Sequence, residues 1–314
     1  MTITDAARTT WTWDTALGGV IPPIITPLQP GGGEVDADAL TKVVEHVLAA
    51  DCSGLFALGG TGEGAWLTPR QRGATVRATV AASKNRVPVL VGLMLPATGP
   101  ACDAARQAED GGADALVVGS PYYLPVGPDD QRRHVEAILA AVNLPIMLYN
   151  IPSCTHHVLL PETVATLAAE PRILGIKDSA GDVDAFQRLL PIKRRRPDFR
   201  VLMGDGALMV AEPAPHADGL VPGPANITPH LYVALHRARL ANDLPAWRRV
   251  AAELRELYAF TRYGHPITAT KAACAALGLG NGQPAPPLVP VTPEQQDAIA
   301  AIVRRYQPTT MLQR

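Results

Sequence analysis

Short apolar runs rich in β-branched residues recur along this chain, and each is followed by apolar positions at helical spacing. The runs are Gly19–Pro27, Gly54–Leu58, Val87–Gly92, Ala115–Val118, Leu144–Tyr149, Ile173–Lys177, Phe199–Met203 and Asp218–Val221. Runs of this length, bounded by turn residues, read as buried strands. Helical periodicity fills the gaps over Asp36–Ala50, Thr68–Ala82, Ala101–Asp110, Asp129–Ala141, Glu162–Ala169, Val183–Leu190, Leu208–Glu212 and His230–Ala241. Thr68-Pro69 opens the second of these with a capping hydroxyl and a proline at the first helical position. Beyond the last strand the pattern stays helical over Pro245–Tyr263, Thr268–Leu277 and Pro293–Tyr306, with a Pro-rich link at Pro284–Pro290.

Eight buried strands alternating with helices predict a parallel sheet in an α/β fold. Eight repeats in about 220 residues suit a closed (β/α)8 TIM barrel, whose usual length is about 250. The alternative, an open doubly wound sheet, lacks support because no Gly-rich dinucleotide turn follows the first strand. The predicted organisation is an N-terminal arm over 1–18, the barrel over 19–242 and a C-terminal helical appendage over 243–314. The arm is expected to be loose, with Trp11 and Trp13 packed on a neighbouring surface.

Active sites of such barrels stand at the C-terminal strand ends. There the chain carries Gly59–Glu63, Gly119–Tyr123, Tyr149–Pro152, Lys177-Asp178, Gly204–Gly206 and Pro222–Asn226. A lysine, two tyrosines and a Gly-rich turn converge on one mouth.

Composition narrows the partners. The 314 residues are 47% hydrophobic with a net charge of −1, which supports a large core and suggests neither nucleic acid nor an anionic membrane. No apolar run approaches the roughly 18–20 residues of a spanning helix, and Met1–Thr15 has no signal-peptide core, so a cytoplasmic setting is expected. The four cysteines make no C-x-x-C pair, which reads as a reducing environment without disulfides or a thiolate metal site.

Lys177 ends a buried strand. An amine disfavoured as a cation by burial has a lowered pKa and attacks carbonyl carbon. The protonated imine so formed is an electron sink for aldol, retro-aldol or dehydration chemistry. The competing reading is a structural lysine paired with Asp178 or Asp205. Tyr149 is placed to move a proton and Tyr123 to extend the relay, although a lone tyrosine at a strand end is more often a packing residue. The Gly59–Glu63 turn exposes backbone N–H groups that suit a carboxylate, with Thr61 as a further donor. His156, His157 and Asp205 lack further ligands at metal-binding spacing, so no metal is expected.

In combination, the motifs at Gly59–Glu63 (G-x-T-G-E), Pro121–Tyr123 (P-Y-Y), Tyr149–Pro152 (Y-N-I-P), Gly175–Asp182 (G-I-K-D-S-x-G-D) and Ala217–Asn226 resemble one known family. It is the dihydrodipicolinate synthase / N-acetylneuraminate lyase family of Schiff-base aldolases and dehydratases, and the likeness runs from about Gly19 to Tyr306. The resemblance implies a tetramer built as a dimer of dimers, and no cofactor beyond a covalent imine on Lys177. It implies Tyr149 as the proton-transferring tyrosine, and Thr61 with neighbouring N–H groups as the binder of the 2-oxo acid carboxylate. It makes Tyr123 the tyrosine that reaches the neighbouring subunit's site, and Val221 the position whose carbonyl faces the site.

Departures from the family pattern redirect the substrate. Gly60 stands where synthases and sialic acid lyases carry a hydroxyl residue, and resembles the 5-dehydro-4-deoxyglucarate dehydratase branch instead. Cys154 stands where dihydrodipicolinate-forming enzymes carry an arginine for the second substrate's carboxylate, and a thiol makes no bidentate charged contact. Gly206 and Ala207 replace the acidic pair of sialic acid lyases. What remains is a group acting on 2-oxo-3-deoxy sugar acids, hydroxy-oxo acids or aryl-pyruvate adducts, with Cys154, Thr155, His156, Asp205 and Pro222 lining the variable pocket. The expected function is a lyase acting on the C3–C4 bond of a 2-oxo acid, sugar-acid-like in the first instance. A dehydratase and a catalytically silent 2-oxo acid binder are the alternatives.

Overall fold

The computed structural model describes residues 11–211 and 216–307. Seven parallel strands follow one another in chain order around a single sheet: β1 (Leu55–Ala57), β2 (Val89–Leu93), β3 (Ala115–Gly119), β4 (Ile146–Asn150), β5 (Ile173–Asp178), β6 (Arg200–Met203) and β7 (Gly219–Leu220). All but Leu174 and Arg200 are buried in these strands, as expected when helices cover a parallel sheet whose other face closes on itself.

The predicted first strand forms differently. Pro22 and Pro23 remove two N–H donors from it, and only isolated bridges remain, Val20 to Leu220 and Pro23 to Phe56. Those bridges join the two sheet edges. Ile21 N–H donates to Leu220 O (2.8 Å) on one side and Ile24 N–H to Phe56 O (2.9 Å) on the other. Asn226 clamps the segment, accepting from Ile25 N–H (3.0 Å) and donating to Pro23 O (2.9 Å). The sheet is thus a closed (β/α)8-type barrel, its eighth staff held by two bridges and a side-chain amide.

The helices start where the sequence signals. Thr68 and Gln71 form a reciprocal capping box on Pro69–Ser83, and proline opens Pro128–Ala141, Pro161–Leu167, Pro229–Leu240, Pro266–Ala275 and Pro293–Val303. Alternation along the strands divides the core in two. One set, including Val91, Val118, Leu148 and Ile176, packs under the helices. The other fills the barrel, with Phe56, Leu90, Val117, Met147, Tyr149, Leu202 and Val221.

The N-terminal segment corrects the expectation of a loose arm. Trp13–Leu17 is a helix with a Thr12/Thr15 capping box, and Leu17 is buried in the barrel-interior cluster, with Trp13 packed against it. Trp11 meets Trp13 edge-on with ring centroids 5.0 Å apart. The rest of the predicted arm, 1–10, lies outside the described residues. No helix among the described residues is long and apolar enough to cross a membrane.

Candidate active site

Strand register decides where Lys177 points. In the β4–β5 pair, Ile146 faces Ile173, but Met147 faces Gly175, so Leu174 is the extra residue of a bulge. From there Tyr149 faces Lys177 and Asn150 faces Asp178. Met147 and Tyr149 belong to the barrel-interior set, so Lys177 takes their inward phase. Without the bulge Lys177 would face Asn150 and point toward the helices, because a one-residue slip reverses every side chain.

The inward position is apolar. Lys177 is 5% exposed, with Nζ 4.0 Å from the Tyr149 ring centroid and 4.9 Å from that of Phe56. The two rings meet edge-on at 6.2 Å. Burial pulls the lysine pKa down to about 7, opposed by Cys154 nearby. Gly204 on the next strand end leaves room for the chain, since a Cβ there would stand 2.7 Å from Lys177 Cε.

Neither carboxylate of the structural alternative pairs with Lys177. Asp178 faces the other side of the strand, accepting from Asn150 Nδ2 (2.7 Å) and from Ala180 N–H (3.1 Å). Asp205 caps the helix Gly206–Met209 through Leu208 N–H (2.8 Å). Asp205 was expected to bind substrate; its Oδ1 is taken by this cap, and like Lys177 and Thr61 it stands outside the wall of the pocket described below. Burial raises the Tyr149 pKa, so its hydroxyl stays protonated; Ser179 beside it lowers the pKa by a lesser effect. Ser179 Oγ is itself buried, and the phenol of Tyr149 is the hydrogen-bonding group beside it.

The Gly59–Glu63 turn lies beside this pair. Among the described residues, Thr61 and Gly62 N–H donate to no protein acceptor, which leaves them for an anion. Gly62 permits close packing, since a Cβ there would meet Ile24 O at 2.8 Å. Glu63 is buried with φ +57°. Its carboxylate pairs with buried Lys271 and accepts from Ala285 N–H (2.6 Å), so the C-terminal region anchors the turn. A Cβ on Gly60 would meet nothing within 4 Å, so the absent side chain leaves open space at the mouth.

Above Tyr149 opens a pocket of about 350 Å³ whose wall includes Gly60, Tyr149, Cys154 and Thr155. His156 and Pro222, expected in it, are not part of the wall. His156 instead ends the short helix Pro152–Thr155 in a left-handed conformation. Of the P-Y-Y tyrosines, Tyr122 lines the pocket, while Tyr123 is 88% exposed with φ +78° and is not part of the wall. Val221 is buried in the barrel beside Phe56 and Tyr149. Cys154 is a free, exposed thiol, and the other three cysteines are free as well. Among the described residues, no group of three His, Cys, Asp or Glu side chains has a metal-binding arrangement.

Sequence reasoning missed Phe56 and Ser179 around Lys177, and Trp66, His265 and Ile267 on the pocket wall, and it placed Gly204 at the mouth without a role. The glycine before Asp205 was a signal for the first group. Nothing local marks His265 and Ile267, which arrive from the C-terminal helices.

Comparison with known proteins agrees with this geometry. The profile of the Dihydrodipicolinate synthetase family matches residues 16–306. The chain is 36% identical over 292 residues to a 4-hydroxy-tetrahydrodipicolinate synthase of Sorangium cellulosum, covering 93% of this chain and 96% of that one. It is 35% identical over 280 residues to the synthase of Hyphomonas neptunium, covering 82% and 95%. Among solved structures it is similar to a prophage protein of the dihydrodipicolinic acid synthase family from E. coli K12 in complex with pyruvate. That match has a TM-score of 0.85 at 27% identity, covering 92% of this chain and 98% of that one. A monomeric dihydrodipicolinate synthase variant matches with a TM-score of 0.86 at 27% identity, covering 92% and 97%. The chain belongs to the dihydrodipicolinate synthetase family, and is a lyase of the class I, Schiff-base, pyruvate-dependent aldolase type.

Proposed function

We propose that Lys177 forms an imine with C2 of pyruvate or a related 2-oxo acid, and that the C3–C4 bond is then made or broken. The observation that carries this is a buried amine with no carboxylate partner among the described residues, its pKa pulled to about 7, lying against a tyrosine that keeps its proton. In the synthetic direction Nζ adds to C2 and water leaves. Loss of a C3 proton gives an enamine whose C3 attacks an aldehyde carbon. Tyr149 delivers a proton to the new alkoxide, and water hydrolyses the imine to free Lys177. The Thr61 and Gly62 N–H groups hold the carboxylate, with the Thr61 hydroxyl as a further donor.

Reduction by borohydride with pyruvate present tests the reading. A single reduced pyruvate adduct on the Lys177 peptide is expected, with none in Lys177→Ala; an unmodified Lys177 refutes it. Dehydration is the second reading, favoured by open space at Gly60. A product that retains every carbon and yields no pyruvate selects it.

The exposure of Tyr123 supports a role in a neighbouring copy's site, within a cytoplasmic tetramer assembled as a dimer of dimers. Mixed oligomers of Tyr123→Phe and Lys177→Ala should recover activity that neither variant has alone.

A further inference from the structure

The pocket above Tyr149 carries information about the carbonyl partner. Its wall is dominated by Trp66, Leu93, Met94, Tyr122, Ile151 and Ile267. Glu63 is its one charged member, and that carboxylate is taken by Lys271 and Ala285 N–H. The polar members are largely spent on the protein as well. Ser120 Oγ accepts from Gln131 Nε2 (3.0 Å), Thr155 Oγ1 donates within its own turn to Ile151 O or His157 O, and His265 Nδ1 accepts from Ile267 N–H (3.3 Å). The guanidinium of Arg72, near Tyr122, donates to Leu67 O (2.7 Å) and is not part of the wall.

A second carboxylate in this space would be desolvated with no cation on the wall itself, which is costly. A polyol would leave hydroxyls unpaired against apolar surface, a desolvation cost for each one buried. Flat and polarizable groups are what the wall offers. Trp66 and His265 stand with ring centroids 6.2 Å apart in a tilted pair, and Tyr122 and Met94 add a ring and a thioether, all suited to an aromatic body.

We infer that the pocket takes an uncharged aromatic group, so that the reaction joins pyruvate to an aromatic aldehyde, or releases one from a 4-aryl-4-hydroxy-2-oxo acid. This rests on the Schiff-base reading and specifies its partner. No oxidant or further reactant is needed: pyruvate C3 bonds to the aldehyde carbon, the C3 proton is balanced by the one placed on the aldehyde oxygen, and water lost in imine formation returns in hydrolysis.

The test is aldol condensation of pyruvate with benzaldehyde, succinic semialdehyde, L-aspartate 4-semialdehyde and D-glyceraldehyde, with borohydride trapping of pyruvate run in parallel. Benzaldehyde should exceed each of the others at least 10-fold in kcat/KM. Trp66→Ala should lower the benzaldehyde value at least 10-fold, and Trp66→Phe should restore most of it. Cys154→Arg, which puts a cation on the wall, should shift preference toward the carboxylated aldehydes. If trapping succeeds but a carboxylated or polyol aldehyde is preferred, or the four are equal, the aromatic inference falls and the Schiff-base reading stands. If trapping fails, both fall.

Discussion

The lowered pKa of Lys177, about 7, is the property on which the proposed chemistry turns. An ordinary lysine titrates near 10.5, so at pH 8 only about one amine in 300 is free. With the pKa at about 7, about nine in ten are free at the same pH. The structure attributes the change first to burial, and Phe56 is one wall of that enclosure, its ring 4.9 Å from Nζ. Phe56→Ala removes the wall and admits water. It also removes a cation–π attraction of about 1 kcal/mol that favours the charged amine, but restored hydration outweighs it. The titration midpoint should therefore rise above 8. At pH 7 the free amine would fall from about half to less than a tenth, while at pH 9 to 10 the variant would approach the parent.

Competitive labelling with trace acetic anhydride, read on the Lys177 peptide across pH 5 to 11, measures the free fraction directly. The truncation costs about 3–5 kcal/mol of stability, so circular dichroism must first show a folded variant, with Phe56→Leu as the milder comparison. A parent midpoint above 9, or a midpoint unmoved in folded Phe56→Ala, would refute the argument that the buried aromatic enclosure sets the nucleophile.

Tyr149→Phe should keep pyruvate trapping while turnover falls about 10²–10⁴-fold, the usual worth of a positioned proton donor; equal loss of both would make Tyr149 a packing residue. Lys177→Met should stabilise the fold. The folded pKa lies below the unfolded value, so the unfolded chain holds more protons between about pH 7 and 10.5, and the parent gains stability as pH rises through that window. The variant's advantage is then greatest at and below pH 7, on the order of a few kcal/mol by urea denaturation, and it shrinks toward pH 10. Lys271→Met strands the buried Glu63 carboxylate and should cost about 3–5 kcal/mol, whereas Glu63→Gln with Lys271→Met should recover most of it. Equal melting of the single and double variants would contradict a coupled pair.

The repeating fold was legible because each strand and helix carries its own local signature. The β5 strand, for example, is a β-branched apolar run, and Pro69–Ser83 opens with Thr68-Pro69. The staff at Val20–Ile25 was read correctly as apolar and central, but its pairing was not, since two prolines strip it of donors and long-range bridges hold it instead. Lys177 was found as a strand-end lysine, yet its inward direction was not readable. Strict alternation from Ile173 would place Lys177 on the helix side with Ile173, and the bulge at Leu174 reverses that. The residues around the site follow the same rule. Thr61 and Tyr149 sit in local motifs and were identified, whereas His265, Ile267 and Lys271 reach the site across about 200 residues of chain through packing that no local pattern records.

Lys177 and Lys271 together separate function from architecture. Both are nearly inaccessible, at 5% and 2% exposure, and burial lowers both pKa values. Lys271 has what a structural lysine needs: the Glu63 carboxylate on one side and Gln283 O at 2.9 Å on the other. Its charge is compensated, and it ties the Pro266–Ala275 helix to the turn that offers its N–H groups to an anion. Lys177 has two aromatic rings and, among the described residues, no carboxylate. A fold that supplies a buried carboxylate to one lysine and turns Asp178 away from the other leaves the second uncompensated where a carbonyl must arrive. On the proposed chemistry, charging Lys177 is costly until an imine forms, and a protonated imine beside a bound carboxylate would recover that cost. The C-terminal helices thus belong to the active site. They hold the Gly59–Glu63 turn through Lys271 and supply part of the pocket wall through His265 and Ile267, so a substitution in them that leaves the barrel intact should still change which carbonyl partner is accepted.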